Sequence, residues 1–580
     1  MNAARALASR LAPAALVSLG VALRLRALSI ERIADDWYQR SMVEGTYPVH
    51  RAPWDLYDFI RATPAEHGAL LDRGTFPWWM GADLHIAAWR PLASLTLTLD
   101  HALFGSGTVG PHAHSLAWLA ALLAAAWWWM RAVLPRNYAL VALALLSVSA
   151  SLTVPTAWLA NRPSLLSGVF GLLAMGVMAR REVPSFKRDA SVAALTFASV
   201  MSGEYGVAFA GCAVAYELVA GVGSPGSRAR ASLAVLASCG VYLATWKALG
   251  HGVEGTMTYL DPLSHPGAWL RAAALRFPAL LGELVTTRPI ALSLATPQAM
   301  WQTLVALASV VCVGVVVARR AASPLRRVAL GLAAGMLAAM IPVLSAPPME
   351  RLLLAAAPAF AALVGALVAC AWSPAAQGHR VLSKALAAVV VVGVAVQLVV
   401  PAIRSWQGLH SAAWWRVEDV AFRALPGVDA CHTADQDHVL LAAGSFGVLH
   451  VIPLLWQGRG CVQPRTWRVL SVPPGASVAL RADDRALTMF APAGPLLGDV
   501  ARLWHPDHFR EGDTARALGF EATVVSVRDG APTRVRYAFD RSLDDPRVVL
   551  WMSVAGGYEQ VRAPPVNAGR LVPQPLGVPE

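Results

Sequence analysis

The chain has 580 residues, of which 56% are hydrophobic and only 14% are charged. So few charged residues cannot coat a compact globule of this length, which excludes an ordinary soluble protein and requires a lipid bilayer as part of the surroundings. The formal net charge is +12, but the arginines fall in short clusters between apolar segments. That pattern indicates membrane topology and excludes nucleic acid as a partner.

Apolar segments recur through the first 401 residues, several with the length of about 17–25 residues that crosses hydrocarbon. They predict about eleven transmembrane helices. The first is interpreted as an uncleaved helix, because Arg24 and Arg26 directly follow its most apolar stretch, residues 11–23, and leave no small-residue cleavage site. The segments are residues 11–30, 112–130, 138–158, 165–178, 190–201, 205–220, 231–249, 301–318, 328–344, 352–372 and 382–401.

Basic residues cluster in alternate connections between these segments, and the positive-inside rule assigns that side to the cytoplasm. The N-terminus is then cytoplasmic, while two long loops, 31–111 and 250–300, and everything after residue 401 lie outside. The Arg-rich, Lys-poor and Ala-rich composition suggests a GC-rich bacterial genome, and we therefore expect the membrane to be a bacterial inner membrane. The basic clusters are Arg131 and Arg136; Arg180, Arg181, Lys187 and Arg188; Arg228 and Arg230; Arg319, Arg320, Arg326 and Arg327; and Arg380 and Lys384.

The pattern changes after residue 401 to short β-like segments separated by Gly, Pro and Asp, for example residues 523–527 and 534–539. We therefore predict two domains: residues 1–401 form a polytopic α-helical membrane domain, and 402–580 form an extracytoplasmic, mixed, β-rich soluble domain. Cys431 and Cys461 are a candidate disulfide in the exported part.

The outer loops contain two segments with helical spacing but polar residues throughout. Residues 84–104 predict an amphipathic helix at the membrane interface, and residues 268–285 form a comparable stretch.

Two acidic residues, Asp35 and Asp36, follow the first predicted helix. A carboxylate fixed at the water interface can act as a general base or bind a divalent cation. The plainer alternative is a solvated loop, since charges just outside a membrane helix cost little.

A second group of polar residues lies in the same loop, in Asp83-Leu-His85 and Trp89-Arg90-Pro91. Arginine presents a planar fork of donors that suits phosphate, whereas membrane anchoring is the simpler role for Trp and Arg here. Further candidates on the outer side are His112, His114, Asn161, Arg162, Glu204, Glu350 and Arg351.

The order of these motifs resembles the GT-C superfamily of membrane glycosyltransferases, especially protein O-mannosyltransferases and the tetratricopeptide-bearing mannosyltransferases. The resemblance covers roughly the first 400 residues and depends on motif order and topology, since each motif is short. The matching motifs are Asp35-Asp36, Arg90-Pro91-Leu92, Leu103-Phe104-Gly105, Pro111-His-Ala-His114, Ala160-Asn-Arg-Pro-Ser-Leu165, Ser202-Gly-Glu204 and Met349-Glu-Arg351.

The resemblance implies transfer of a sugar from a polyprenyl-phosphate donor to an acceptor at the outer face, by an inverting general-base mechanism. Asp35 or Asp36 would deprotonate the acceptor hydroxyl. Arg90 and Arg351 would hold the lipid phosphate, with His85, Arg162 and Glu204 in supporting positions. The partners are membrane lipid, the lipid-linked sugar and an acceptor that is a glycan, a lipid or a protein. No metal ligands are assigned.

The chain departs from the family in three places. Asn161-Arg162-Pro163 and Gly203-Glu204 stand where relatives often carry Gly-Arg-Asp or Lys-Glu, and the C-terminal part lacks the tetratricopeptide period of about 34 residues. Two other functions stay open. A transporter or flippase of a lipid-linked substrate would place ionisable residues at mid-membrane, and an inactive relative would serve as a membrane scaffold.

Overall fold

The structure is a computed structural model that describes residues 2–180, 185–256, 259–319, 322–372, 380–411, 434–444, 452–454, 456–457, 461–498, 504–505, 507–554 and 557–574. The chain divides into two compact units. The helical unit comprises Met1–Ile30, Trp89–Gly250 and Leu260–Ser411, and the second unit comprises Glu31–Ala88, His251–Tyr259 and Ala412–Glu580.

The helices follow one another from the N-terminus to residue 411, and most belong to the helical unit. In chain order they are α1 Asn2–Ala22, α2 Asp35–Val43, α3 Pro64–Asp72, α4 Pro91–Phe104, α5 Val109–Val133, α6 Arg136–Val148, α7 Thr153–Ala157, α8 Pro163–Ala179, α9 Ser185–Ser202, α10 Tyr205–Ala220, α11 Pro225–Ala248, α12 Pro266–Thr286, α13 Ile290–Leu294, α14 Pro297–Arg319, α15 Ser323–Val343, α16 Ala357–Ala371 and α17 Arg380–Ser411.

The helical unit has an apolar core of Leu, Ala, Val and Met side chains from α5, α6, α8, α10, α15 and α16. Small residues allow the helices to approach closely: a Cβ on Gly206 of α10 would lie 2.5 Å from the backbone of α9. Arg24 is fully buried beside this core, where it donates to the carbonyls of Gly20 and Ser147 at 2.8 Å each. A buried guanidinium thus fixes the chain after α1 to the end of α6.

Seven helices among the described residues are long and apolar enough to cross a membrane, or eight if the bent pair Arg136–Val148 and Ala150–Ala157 forms one span. Two shorter apolar helices, Tyr205–Ala220 and Ala357–Ala371, add to the membrane-like part. The chain is therefore a multi-pass membrane protein. The predicted fold class, membrane helices followed by a β-rich C-terminal region, is confirmed, but the predicted number of about eleven spans is not.

The second unit contains three sheets. Their strands are β1 Asp58–Ile60, β2 His85–Ala87, β3 Gly252–Glu254, β4 Asp437–Leu440, β5 Thr466–Val469, β6 Ser477–Asp483, β7 Ala486–Phe490, β8 Thr514–Ala517, β9 Phe520–Arg528, β10 Ala531–Phe539, β11 Val548–Val554, β12 Gly557–Val561 and β13 Gly569–Val572.

The strand orders are β1-β2-β3, β13-β6-β7-β10-β9-β8 and β12-β11-β4-β5. In the four-stranded sheet β4 pairs in parallel with both β11 and β5, whereas the pairs of the other two sheets are antiparallel. Successive side chains of β6 point to opposite faces of the sheet, and one face buries Ser477, Ala479 and Arg481. The predicted strands at 523–527 and 534–539 lie within β9 and β10.

Residues 31–88 pack against the C-terminal sheets inside this unit. Trp78 Nε1 donates to the carbonyl of Leu470 at 3.0 Å, and Arg468 donates to the carbonyls of Leu71 and Asp72 at 2.7 and 3.1 Å. The amide of Leu518 donates to Asp72 Oδ1 at 2.6 Å. The predicted boundary near residue 401 assigns this loop to the membrane domain, whereas in the structure residues 31–88 form one compact unit with the C-terminal part.

Two predicted amphipathic segments and the predicted disulfide can be compared with the observed elements. The amphipathic helix predicted over 84–104 begins only at Pro91, because residues 85–87 pair as a strand and proline is favoured at the first position of a helix. The stretch predicted over 268–285 lies within α12. The Cys431–Cys461 disulfide stays a prediction, since Cys431 lies outside the described residues.

Candidate functional site

Asp35 and Asp36 occupy the first turn of α2, where the helix dipole favours negative side chains. Asp36 is 3% exposed, and its Oδ2 accepts a hydrogen bond of 3.1 Å from the backbone amide of Ile33. Asp35 is only partly buried. Asp36 therefore fixes the turn into the helix, and Asp35 is the more accessible carboxylate of the two.

The residue before this pair, Ala34, has a backbone conformation that L residues rarely adopt, with φ 43° and ψ −111°. Such a conformation costs about 1–3 kcal/mol and persists only where the surroundings enforce it. Neighbouring side chains supply that enforcement: Trp37 Nε1 donates to the carbonyl of Arg32 at 3.2 Å, and the ring of Tyr38 packs edge-on to Phe59 at 5.9 Å. Strain of this kind is typical of functional sites.

Arg90 and Glu204, which belong to different sequence motifs, form an ion pair in the helical unit, with 2.8 Å between Arg90 Nε and Glu204 Oε2. Both side chains are partly exposed. Gly203 leaves room for the arginine, since a Cβ there would lie 3.7 Å from Arg90 Cδ and 3.0 Å from Pro163 Cβ. The structure thus brings together two of the predicted phosphate-side residues.

The backbone just before Arg90 is held by α11. The Trp89 ring stacks on Tyr242 with centroids 5.5 Å apart, and the Tyr242 hydroxyl donates to the Trp89 carbonyl at 2.8 Å. Tyr242 is fully buried. The position of Arg90 is therefore set by buried contacts on the preceding residue.

Arg162 is fully buried and its donors bond to protein groups. Its Nη1 lies 2.5 Å from Asp100 Oδ2, its Nε donates to Ser115 Oγ at 2.9 Å, and its Nη2 donates to the Pro111 carbonyl at 2.7 Å. These contacts join the start of α8 to α4 and α5. The Arg162 guanidinium is thus held by these three protein groups.

Asp100 also binds His114, whose Nδ1 lies 2.6 Å from Asp100 Oδ1. Trp118 Nε1 donates to His114 Nε2 at 2.9 Å, so Nε2 is the acceptor and Nδ1 carries the proton donated to Asp100. The sequence analysis missed Asp100. Its signal was the single carboxylate in helix α4.

Arg351 lies on the 3₁₀ turn before α16, with its Cζ 5.1 Å from the centroid of the Trp158 ring. Its neighbour Glu350 lies 3.2 Å from Arg404, which also forms a short ion pair with Glu283. Burial raises the pKa of Glu350 to about 7, and the nearby Glu283 carboxylate adds to the shift. Sequence reasoning missed Arg404, because only the fold brings α12, α17 and this turn together.

His85 belongs to the second unit, in the central strand β2. The amide of Ala62 donates to its Nδ1 at 3.4 Å, and burial lowers the pKa of the imidazole. The predicted site residues therefore fall into two sets. Asp35, Asp36 and His85 belong to the second unit. The helical unit contains the other four: Arg90, Arg162, Glu204 and Arg351.

No protein-family model and no curated protein matches the sequence. Among solved structures, the chain is similar to the oligosaccharyltransferase of Archaeoglobus fulgidus tethered to an acceptor peptide, with 12% identity and a TM-score of 0.44 over 81% of this chain and 65% of that one. The chain thus spans less than two thirds of the length of that protein.

A second similar structure is ArnT from Cupriavidus metallidurans bound to undecaprenyl phosphate, with 14% identity and a TM-score of 0.39 over 77% of this chain and 84% of that one. Both neighbours are GT-C glycosyltransferases, the superfamily that the sequence motifs resemble.

Proposed function

We propose that the chain transfers a sugar from a polyprenyl-phosphate donor to an acceptor hydroxyl at the outer face of a bacterial inner membrane. The reaction inverts the anomeric carbon: a general base takes the proton of the acceptor hydroxyl as its oxygen attacks, and the lipid phosphate leaves with the electrons of the glycosidic bond. No nucleic acid takes part. The motifs shared with GT-C enzymes and the geometry around Asp35 support this function.

The observation that carries the proposal is the pair Asp35-Asp36 at the start of α2, directly after the strained Ala34. Asp36 bonds back to the amide of Ile33 and is nearly inaccessible, so it acts as a positioning residue. Asp35 is the more exposed and is our choice for the general base. A base must reach the proton it takes, which favours the accessible carboxylate.

For the leaving phosphate we choose Arg90 and Arg351. Both are partly exposed, whereas Arg162 is buried in bonds to α4 and α5. Arg90 has Glu204 as its counter-ion and Arg351 stacks near Trp158, so each guanidinium is held in place. A fixed positive charge stabilises the negative charge that develops on the leaving phosphate.

The proposal is tested by transfer of radiolabelled sugar from a panel of polyprenyl-phosphate donors, in membranes that carry the wild type or Arg90→Gln. We expect transfer from one donor class, falling at least about tenfold in the variant because a transition-state contact is lost. Arg136→Gln, a basic residue elsewhere in the helical unit, is the control and should leave transfer unchanged.

Other outcomes would support the alternatives. Movement of a lipid-linked sugar across proteoliposome membranes without bond cleavage would indicate a transporter or flippase. Absence of transfer from every donor and acceptor fraction, with folded protein present, would overturn the enzyme and favour a membrane scaffold.

A further inference from the structure

The three-stranded sheet of the second unit brings together residues that are far apart in sequence. Strands β1 and β3 both pair antiparallel with β2, so they run in the same direction and begin at the same end of the sheet. Asp58, the first residue of β1, pairs with Ala87, which pairs in turn with Gly252, the first residue of β3. His251 precedes Gly252 and therefore lies at the end of the sheet where Asp58 begins β1.

Asp55 joins this group through a turn, since the Asp58 amide donates to the Asp55 carbonyl. One carboxylate oxygen of Asp55, one of Asp58 and one ring nitrogen of His251 lie within 4.8 Å of one another. If the three ligand atoms stood at the corners of an equilateral triangle of that side, each would lie about 2.8 Å from a metal ion at its centre. Zinc–oxygen and zinc–nitrogen bonds are ~2.0–2.2 Å long, so each ligand atom would need to move by less than ~1 Å to bind the ion.

The carboxylates of the group have unused capacity to accept. Asp58 is 1% exposed and His251 is 3% exposed. Asp55 Oδ1 and Asp58 Oδ1 are buried and receive no hydrogen bond within the described part of the chain, although Arg51 Nη2 lies 3.2 Å from Asp58 Oδ1 as an ion pair. Buried oxygens nearly always have a hydrogen-bond partner, so Asp55 Oδ1 points to a partner that the described residues do not supply.

The surrounding charge also favours a cation. Arg51 lies between Asp58 and Glu66, with two hydrogen bonds of 2.9 and 2.7 Å to Glu66. Arg61 lies 2.6 Å from Asp58 and 3.8 Å from Asp55. Three carboxylates therefore face two guanidiniums, which leaves one negative charge in excess.

We propose that Asp55, Asp58 and His251 form a binding site for a divalent transition-metal ion such as Zn²⁺ or Mn²⁺. Mixed imidazole and carboxylate ligands suit these ions better than Mg²⁺ or Ca²⁺, which prefer oxygen alone. Three protein ligands leave coordination positions for water. The ion would crosslink residues 55–58 in the first long loop to His251 at the start of the second long loop. This structural role is independent of the proposed sugar transfer.

The test uses the full-length protein purified in detergent on a tag without histidine and stripped with a chelator. Zn²⁺ and Mn²⁺ are titrated by calorimetry, and bound metal is counted by mass spectrometry after desalting. The site variants are Asp55→Asn and His251→Gln; Asp58 is left intact because its ion pairs with Arg51 and Arg61 support the fold. The matched controls are Asp507→Asn and His505→Gln, an aspartate and a histidine elsewhere in the same unit.

We expect one ion per chain in the wild type and both controls, and at least about tenfold weaker binding in each site variant because a direct ligand is lost. Saturating metal should raise the melting temperature of the wild type and not that of His251→Gln. Thermal unfolding without metal verifies that the variants are folded. No stoichiometric binding by the wild type, or equal affinity in site variants and controls, would overturn the proposal.

Discussion

The two units use charged side chains in different ways. In the helical unit, Asp100 and Arg162 are both nearly inaccessible and connect three helices. In the second unit, Arg465 bridges Asp437 and the half-exposed Asp540 at a sheet edge, in contact with water. A buried pair in an apolar core is therefore costly to break, whereas water compensates most of the loss at an exposed edge.

Asp100→Asn, in the buried pair of the helical unit, is expected to have the largest effect on stability. The substitution leaves the Arg162 guanidinium buried without its counter-ion, and removal of one partner of a buried pair costs about 3–5 kcal/mol. We expect a large fall in the melting temperature of the helical unit, or loss of folded protein, as measured by thermal unfolding in detergent. Asp540→Asn is the control from the exposed edge and should change stability by less than about 1 kcal/mol. Equal effects of the two substitutions would contradict the comparison.

Within the second unit, the attachment of residues 31–88 to the C-terminal sheets is tested by Gly74→Ala. Gly74 has φ +70°, and a Cβ there would lie 2.1 Å from the Trp467 carbonyl oxygen. Backbone strain and displacement of β5 together should cost about 2–3 kcal/mol.

Gly68→Ala is the matched control, since Gly68 lies in α3 with no atom within 4 Å of its Cβ position. It should be neutral or stabilise by up to about 1 kcal/mol. The measurement is the rate of proteolysis of the loop together with the melting temperature. Similar behaviour of the two variants would show that the loop does not depend on this contact.

A smaller effect is expected for Arg468→Lys. Arg468 is buried and donates to the carbonyls of Leu71, Asp72 and Leu518, which a lysine cannot reach together. We expect a loss of about 1–2 kcal/mol. The exposed Arg534→Lys on β10 serves as control, and a melting temperature of Arg468→Lys equal to that of the control would remove Arg468 from the account.

The smallest effect concerns pH. Burial acts to raise the pKa of Glu66, but the hydrogen bonds from Arg51 outweigh it and the pKa is lowered from 4.5. A lowered pKa contributes stability above the unfolded value, and that contribution is lost as pH falls through the folded pKa.

Glu66→Gln should therefore cost about 0.5–1 kcal/mol at pH 7, because the pair is partly solvated, and nothing once pH falls below the folded pKa. Thermal unfolding of both proteins across this range measures the difference. A difference that stays constant with pH would contradict the assigned pKa shift.

Sequence reasoning succeeded where the signal is local. Hydropathy and charge predicted the membrane helices and the β-rich region, and alternation predicted β9 and β10. It extended the helix at 84–104 too far, because residues 85–87 become a strand only through partners at 58–60 and 252–254.

Some residues of the candidate sites could be recognised from the sequence, and others only from the fold. Asp35-Asp36 was visible as a pair of carboxylates after an apolar helix, and the Arg90–Glu204 ion pair joins two motifs already named. Asp55, Asp58 and His251 gave no signal, since the histidine starts a different loop and only the sheet brings the three together.

The central claim, that Asp35 is the general base of a sugar transfer, is tested most directly by initial rates for the wild type, Asp35→Asn, Asp36→Asn and Glu31→Gln. Glu31 is an exposed carboxylate of the same segment and controls for loss of charge. The account predicts loss of at least about 100-fold in Asp35→Asn with donor binding retained, since general-base catalysis contributes about 10²–10⁴. It predicts a smaller loss in Asp36→Asn and a normal rate in Glu31→Gln. Full activity of Asp35→Asn would contradict the account.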